Sequence, residues 1–91
     1  MNQCLDTDNL HRRLNKIAGQ VKAIDRMIDE DVPCEDILSQ INAAKSALQG
    51  CGKVILEGHI ESCVREGIET GDADKAVEGF STAVDRFSNM S

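Results

Sequence analysis

The stretch RLNKIAGQVKAIDRMI, residues 13–28, has a regular apolar pattern. Its apolar side chains recur at alternating intervals of three and four residues, at Leu14, Ile17, Val21, Ile24 and Ile28. Side chains at these intervals lie along one face of an α-helix, as in the seam of a coiled coil. Capping oxygens at residues 6–8 precede the pattern, and Pro33 follows it. The pattern therefore predicts a first helix with one narrow apolar stripe.

A second apolar series begins after Pro33, a residue that suits a helix start because its missing N–H would have no partner there. The series comprises Ile37, Ile41, Ala44, Leu48, Cys51 and Ile55. It predicts a long second helix, with Glu35 and Asp36 in the first turn, where the helix dipole favours negative charge. Gly50 and Gly52 are its weak point, because each glycine costs about 1 kcal/mol relative to alanine inside a helix. A bend or break at this point stays open as the alternative to a continuous helix.

A third, shorter helix is predicted after residues 67–71, which have a loop-like composition. Its apolar face comprises Ala76, Val77, Phe80, Ala83, Val84 and Phe87. With no β pattern in the sequence, the fold class is all-α with three helices per chain. Narrow stripes on three helices do not close a core unaided, so we predict an antiparallel helical bundle of two or more chains.

The composition bounds the domain count and the function class. The chain has 91 residues with 16 acidic and 10 basic side chains, a net charge of -6 and two aromatic residues. This predicts one small domain, residues 1–91, with a flexible tail at 1–7 and a frayed end at 88–91. The start MNQCLDTDNL lacks the basic and apolar segments of a signal peptide, so we expect a cytoplasmic protein. No nucleophile and base stand at a catalytic spacing, so we do not expect an enzyme.

Three residues form a candidate metal site: Cys34, His59 and Cys63. Two thiolates and an imidazole suit Cu(I) and, with a fourth ligand, Zn(II). His59 and Cys63 are four residues apart and lie on one face of a helix, whereas Cys34 lies 25 positions earlier, about 37 Å along a continuous helix. Two antiparallel copies crossing near residues 47–48 bring the three ligands together between protomers. The rival geometry is a break at residues 50–52 that folds the helix back and forms the site within one chain.

Each cysteine also has a plainer interpretation. Cys51 occupies a core-stripe position, which favours packing over ligation. Cys4 lies in the predicted tail as a thiol of unknown use. On spacing alone, His59 and Cys63 are more often two residues of a half-buried helix face than ligands.

The basic residues are unevenly distributed. The net charge argues against a nucleic-acid partner, but residues 11–22 contain four bases and no acid. Arg12, Arg13 and Lys16, with Lys53 on the second helix, are candidates for a DNA-binding edge, although a solvated polar face is the ordinary explanation for such residues.

The chain resembles the copper-sensitive operon repressor (CsoR) family, whose relatives sense nickel or cobalt, formaldehyde, or sulfane sulfur. The matching stretches are residues 13–28, VPCEDILSQINAAKSAL at 32–48 and VILEGHIESCV at 54–64. The resemblance implies an antiparallel dimer that doubles to a homotetramer and holds double-stranded operator DNA. It further implies that Cu(I) binds Cys34 with His59 and Cys63 of the facing protomer and releases the DNA. Family DNA contacts map onto Arg13 and, more loosely, Lys53.

Two other functions stay open beside copper sensing. In sulfur-sensing relatives, persulfide or polysulfide links the positions of Cys34 and Cys63 across the dimer, without a metal cofactor. A helical metal-storage or chaperone protein is the third hypothesis. Two positions depart from the copper sensors. Pro33 stands where those proteins tend to have a Tyr just before the first Cys, and Gly79 stands where they tend to have a Glu on the third helix that interacts with the ligand His.

Overall fold

The computed structural model describes residues 5–90 and contains three α-helices. They are α1 (Thr7–Asp29), α2 (Cys34–Thr70) and α3 (Ala73–Ser88), with no strand in the described part of the chain. The predicted all-α class with three helices per chain is confirmed. Cys4 and most of the predicted tail lie outside the described residues.

The boundary between α1 and α2 is set by two residues. Asp31 adopts a left-handed backbone conformation with φ of 58°, which stops α1 and which Asp tolerates better than most residues. Pro33 then offers its carbonyl oxygen to the backbone N–H groups of Asp36 and Ile37, at 3.0 and 3.2 Å. The proline thus begins α2 at the place where the sequence predicts the boundary.

The helix α2 is longer and more regular than the sequence predicts. It continues through residues 50–52 without interruption, so the rival geometry with a helix folded back at that point is wrong. It also continues through residues 67–70, and the predicted loop is reduced to Gly71 and Asp72. Gly71 ends the helix with φ of 74°, a conformation that glycine adopts without a side-chain penalty.

Close approaches explain the glycines inside α2. A Cβ added to Gly67 would lie 2.9 Å from the Cβ of Ala76, so the missing side chain lets α3 approach α2 there. A Cβ on Gly52 would lie 2.9 Å from the Sδ of Met90. The glycine at position 67 thus allows close packing against α3, whereas the neighbour of Gly52 is the flexible end of the Met90 side chain, and neither position breaks the helix.

The chain divides into two compact units within α2. The first unit, residues 8–51, contains α1 and the first part of α2. It holds all four buried apolar residues of the described chain, which are Leu10, Ile17, Ala44 and Cys51. Cys51, predicted to pack in the core stripe, is 5% exposed. The second unit comprises the described residues 5–7 and 52–90 and contains the rest of α2 with α3.

Many other residues of the predicted apolar stripes are exposed in the single chain, and the remaining ones are half-buried. On α1 the exposed members are Leu14, Val21 and Ile28, and on α2 they include Ile41, Leu48 and Ile55. Val77 and Phe80 are exposed on α3. Soluble monomers rarely leave so many apolar side chains in contiguous rows at the surface. None of the helices within residues 5–90 has the length and apolarity needed to cross a membrane.

Candidate metal site and basic cavity

His59 and Cys63 are in direct contact in the second unit. They lie one turn apart on α2, both half-buried, and the His59 Nε2 atom is 3.2 Å from the Cys63 Sγ atom. The spacing of four residues places both side chains on the same helix face. The pair offers a thiol and an imidazole ring, two groups that bind Cu(I), on one surface of the unit.

The third helix contributes a backbone acceptor to this pair. The Nε2–H group of His59 donates to the carbonyl oxygen of Gly79 on α3, at 3.3 Å. Gly79 packs closely over the pair, since a Cβ at this position would lie 3.6 Å from Cys63 Sγ. Position 79 has no side-chain carboxylate, and its backbone carbonyl, which was not predicted as an acceptor, takes the hydrogen bond. A backbone acceptor has no side-chain signature, so only the packing of α3 on α2 reveals it.

An open groove of about 870 Å³ runs along the second unit beside the pair. His59 and Cys63 line it together with a floor of small residues, which are Gly67, Ala76, Gly79 and Ala83. Glu66, Asp72, Lys75 and Glu78 add charged groups to its lining. Within residues 5–90, no three His, Cys, Asp or Glu side chains group as a metal-ligand set. The groove leaves space beside the two donors for a ligand from outside the unit.

Cys34, the remaining predicted ligand, belongs to the first unit. It is the first residue of α2, and its side chain is an exposed free thiol. Along the uninterrupted helix, the 25 residues from Cys34 to His59 correspond to a rise of about 37 Å. The structure therefore brings two of the three predicted ligands together and leaves the third on a different part of α2.

The predicted DNA-binding residues of α1 surround one cavity in the first unit. This cavity has a volume of about 390 Å³, and Arg12, Arg13 and Lys16 line it. Asn9, Ile17, Gln20 and Ala47 complete its lining, and no carboxylate is among the lining residues. Lys53 is exposed and belongs to the second unit. Asn9 and Gln20 were not predicted as part of this edge, although both lie on the same helix face as the three bases at intervals of three and four residues.

Comparison with known proteins identifies the class of this chain. The model of a family described as metal-sensitive transcriptional repressor matches residues 6–86. The copper-sensing transcriptional repressor CsoR of Bacillus subtilis is 38% identical over 72 residues, which cover 79% of this chain and 71% of the relative. The copper-sensing transcriptional repressor RicR of Mycobacterium tuberculosis is 40% identical over 81 residues, covering 87% of this chain and 84% of the relative.

A solved structure also shares the fold. It is described as the nickel-responsive transcriptional regulator InrS, and it matches with a TM-score of 0.84 and 29% sequence identity. The match covers 88% of this chain and 90% of that one. The chain belongs to the metal-sensitive transcriptional repressor family, whose members are regulators of transcription rather than enzymes.

Proposed function

We propose that the chain is a cytoplasmic repressor that binds operator DNA and releases it when Cu(I) binds between two copies. The observation that carries the proposal is the contact of 3.2 Å between His59 Nε2 and Cys63 Sγ. Thiolate and imidazole are donors that suit Cu(I), and the groove beside them is open to a third ligand. The relatives in Bacillus subtilis and Mycobacterium tuberculosis are copper-sensing repressors, which supports copper over other metals.

Cys34 of a second copy is the third ligand in this proposal. Ile41, Leu48 and Ile55 repeat every seven residues on α2 and are 47%, 45% and 42% exposed. In an antiparallel pair centred on Leu48, each Leu48 meets its counterpart, and Ile41 of one copy meets Ile55 of the other. The same register places Cys34 opposite position 62, between His59 and Cys63. One alignment thus buries the apolar row and completes the ligand set.

Further exposed apolar side chains support assembly beyond the dimer. Val64 and Ile68 on α2 are 53% and 78% exposed, and Val77 on α3 is 63% exposed. These side chains are separate from the row centred on Leu48. Burying a second apolar surface by pairing two dimers gives the homotetramer that we propose as the DNA-binding form.

The DNA contacts in this proposal come from the basic edge of each protomer. Arg12, Arg13 and Lys16 concentrate positive charge around one cavity in a chain whose net charge is -6. Lys53 adds a further exposed base from α2. A single edge of this kind binds phosphate groups weakly, so a tetramer that presents several edges gains affinity through multivalency.

Replacing His59 tests the copper role. We expect His59→Ala to lower Cu(I) affinity about tenfold or more and to abolish the copper-dependent loss of DNA binding, with metal-free DNA affinity unchanged. Competition with a Cu(I) chelator measures the first effect, and fluorescence anisotropy with the upstream promoter DNA measures the second. The matched control is His11→Ala, because His11 is an exposed histidine of α1. Equal copper responses in the two variants would contradict the proposal.

A sulfur-sensing function is the second candidate, and the exposure of Cys34 favours it. The Cys34 thiol is free and exposed at the first residue of α2, so an oxidant in solution can reach it. In this candidate, Cys34 and Cys63 of two copies are oxidised to a crosslink, and the polysulfide takes up the two electrons and leaves as sulfide. Intact-mass analysis after polysulfide treatment separates the candidates. A covalent dimer that no longer binds DNA, together with no response to copper, would favour sulfur over copper.

A further inference from the structure

The basic cavity of the first unit has the charge of an anion site. Three cationic side chains, Arg12, Arg13 and Lys16, line a space of about 390 Å³ that has no carboxylate in its lining. Like charges around one space repel each other, and a bound anion removes that cost. The volume is several times that of one water molecule, so the cavity has room for a tetrahedral oxyanion with its remaining water.

Arg13 has two close neighbours, Asn9 and Gly50. Its Nε–H group donates to the Asn9 Oδ1 atom at 3.1 Å, across one turn of α1. Its Nη1 atom lies close to α2 at Gly50. A Cβ added to Gly50 would be 3.3 Å from Nη1, so the missing side chain leaves room for the guanidinium group. Fixing a long side chain before the ligand arrives reduces the entropy lost on binding. Asn9 and Gly50 are therefore positioning residues for the guanidinium group of Arg13.

Gln20 lines the same cavity and has a side-chain oxygen without a hydrogen bond. Its Oε1 atom is buried and makes no hydrogen bond. An unpaired buried oxygen costs about 1–3 kcal/mol. Turning this amide toward the cavity breaks no hydrogen bond at the oxygen, and it allows the NH2 group to donate to an anion.

We propose that this cavity binds one tetrahedral oxyanion of the phosphate class, with Arg12, Arg13 and Lys16 as its cationic contacts and Gln20 as a neutral donor. The anion is either a phosphate group of the DNA backbone or a free phosphate ion that competes with it. The proposal deepens the DNA-binding role proposed above for the same bases. It goes beyond that role because it assigns a defined binding site that is also occupied by phosphate when DNA is absent.

Titration of the full chain with inorganic phosphate tests whether this cavity binds the anion. The protein is kept in a phosphate-free buffer at constant ionic strength, and ¹H–¹⁵N spectra follow the Arg13 Nε–H and Gln20 amide signals. We expect saturable shifts with a dissociation constant of about 1 mM. Lys16→Ala should raise this constant about fivefold, and Lys22→Ala should leave it within about twofold. Lys22 is the matched control because it is an exposed lysine of α1 that does not line the cavity.

Two more variants separate binding from stability. Gly50→Ala favours the helix but crowds Arg13, and Gln20→Leu removes an unpaired buried oxygen. Both should keep or raise the unfolding temperature and still raise the phosphate dissociation constant, about twofold to threefold. Shifts that rise linearly without saturation, or an equal loss in Lys16→Ala and Lys22→Ala, would overturn the proposal.

A DNA-binding measurement distinguishes a phosphate group of the DNA backbone from a free phosphate ion as the bound anion. Anisotropy with labelled promoter DNA is measured in phosphate and in chloride at equal ionic strength. If phosphate lowers the DNA affinity of the unmodified chain but not that of Lys16→Ala, the free ion and the DNA backbone share one binding site. If the DNA affinity is equal in phosphate and in chloride while the spectra still show phosphate binding, the site binds the free ion and not the DNA backbone. If phosphate binds but no protein–DNA complex forms, the result supports the proposed phosphate site and contradicts the proposed repressor function.

Discussion

The close approach of Gly67 to Ala76 makes Gly67→Ala an informative substitution. The new Cβ would lie 2.9 Å from the Ala76 Cβ, whereas two such carbons pack best at about 3.5–4.0 Å. The helices α2 and α3 must therefore separate by about 0.6–1.1 Å. Crowding of this kind costs about 1–3 kcal/mol, and the higher helix propensity of alanine returns about 1 kcal/mol. We expect the variant to be destabilised by up to about 2 kcal/mol.

Urea and thermal unfolding at one fixed protein concentration measure this effect. A loss of 1 kcal/mol should lower the unfolding temperature by about 4–8 °C in a domain of this size. The matched control is Gly19→Ala, because Gly19 lies inside α1 with no atom within 4 Å of the added Cβ, and this variant should be about 1 kcal/mol more stable. Ala76→Gly added to Gly67→Ala should remove the clash. Stabilisation of Gly67→Ala to the same extent as Gly19→Ala would refute the close packing of α3 on α2.

Three further substitutions test the helix ends and surfaces. Asp72→Ala should cost about 1 kcal/mol in urea unfolding, because the Asp72 carboxylate caps α3 by accepting from the Lys75 backbone N–H at 3.1 Å, and Asp72→Asn should retain most of that stability. Leu48→Glu should shift the sedimentation coefficient toward the monomer, since two carboxylates would meet at the proposed dimer axis; an unchanged oligomer would contradict that axis. Arg65→Ala should change the free energy of unfolding by less than about 0.5 kcal/mol, because its ion pair with Glu61 is about 70% exposed on both sides.

The helices could be predicted from the sequence because their cause is local. The apolar intervals at residues 13–28 and the position of Pro33 act through the chain's own periodicity and its missing N–H group. The loop at residues 67–71 was mispredicted for the opposite reason. The composition of these residues is loop-like, but Ala76 packs against Gly67, and the packing of α3 on α2 outweighs a helix-propensity difference of about 1 kcal/mol.

The candidate site divides in the same way. The interval of four residues between His59 and Cys63 places their side chains on one helix face, and this follows from helix geometry alone. The acceptor for the His59 ring could not be predicted, because it is the backbone carbonyl of Gly79, twenty residues away in the sequence. Any residue type offers a carbonyl, so composition and spacing contain no signal for it.

The sequence by itself determined three amphipathic helices, a soft donor pair on α2 and a cluster of bases on α1, since each depends on intervals of three and four residues along one helix. Only the tertiary structure decided that α2 runs unbroken to Thr70, that Gly79 receives the His59 hydrogen bond and that Arg13 extends over Gly50. These features depend on which helix faces pack together and on the distance between the packed helices. That distance is set by side-chain volume across the contact, which the order of residues within one helix does not specify.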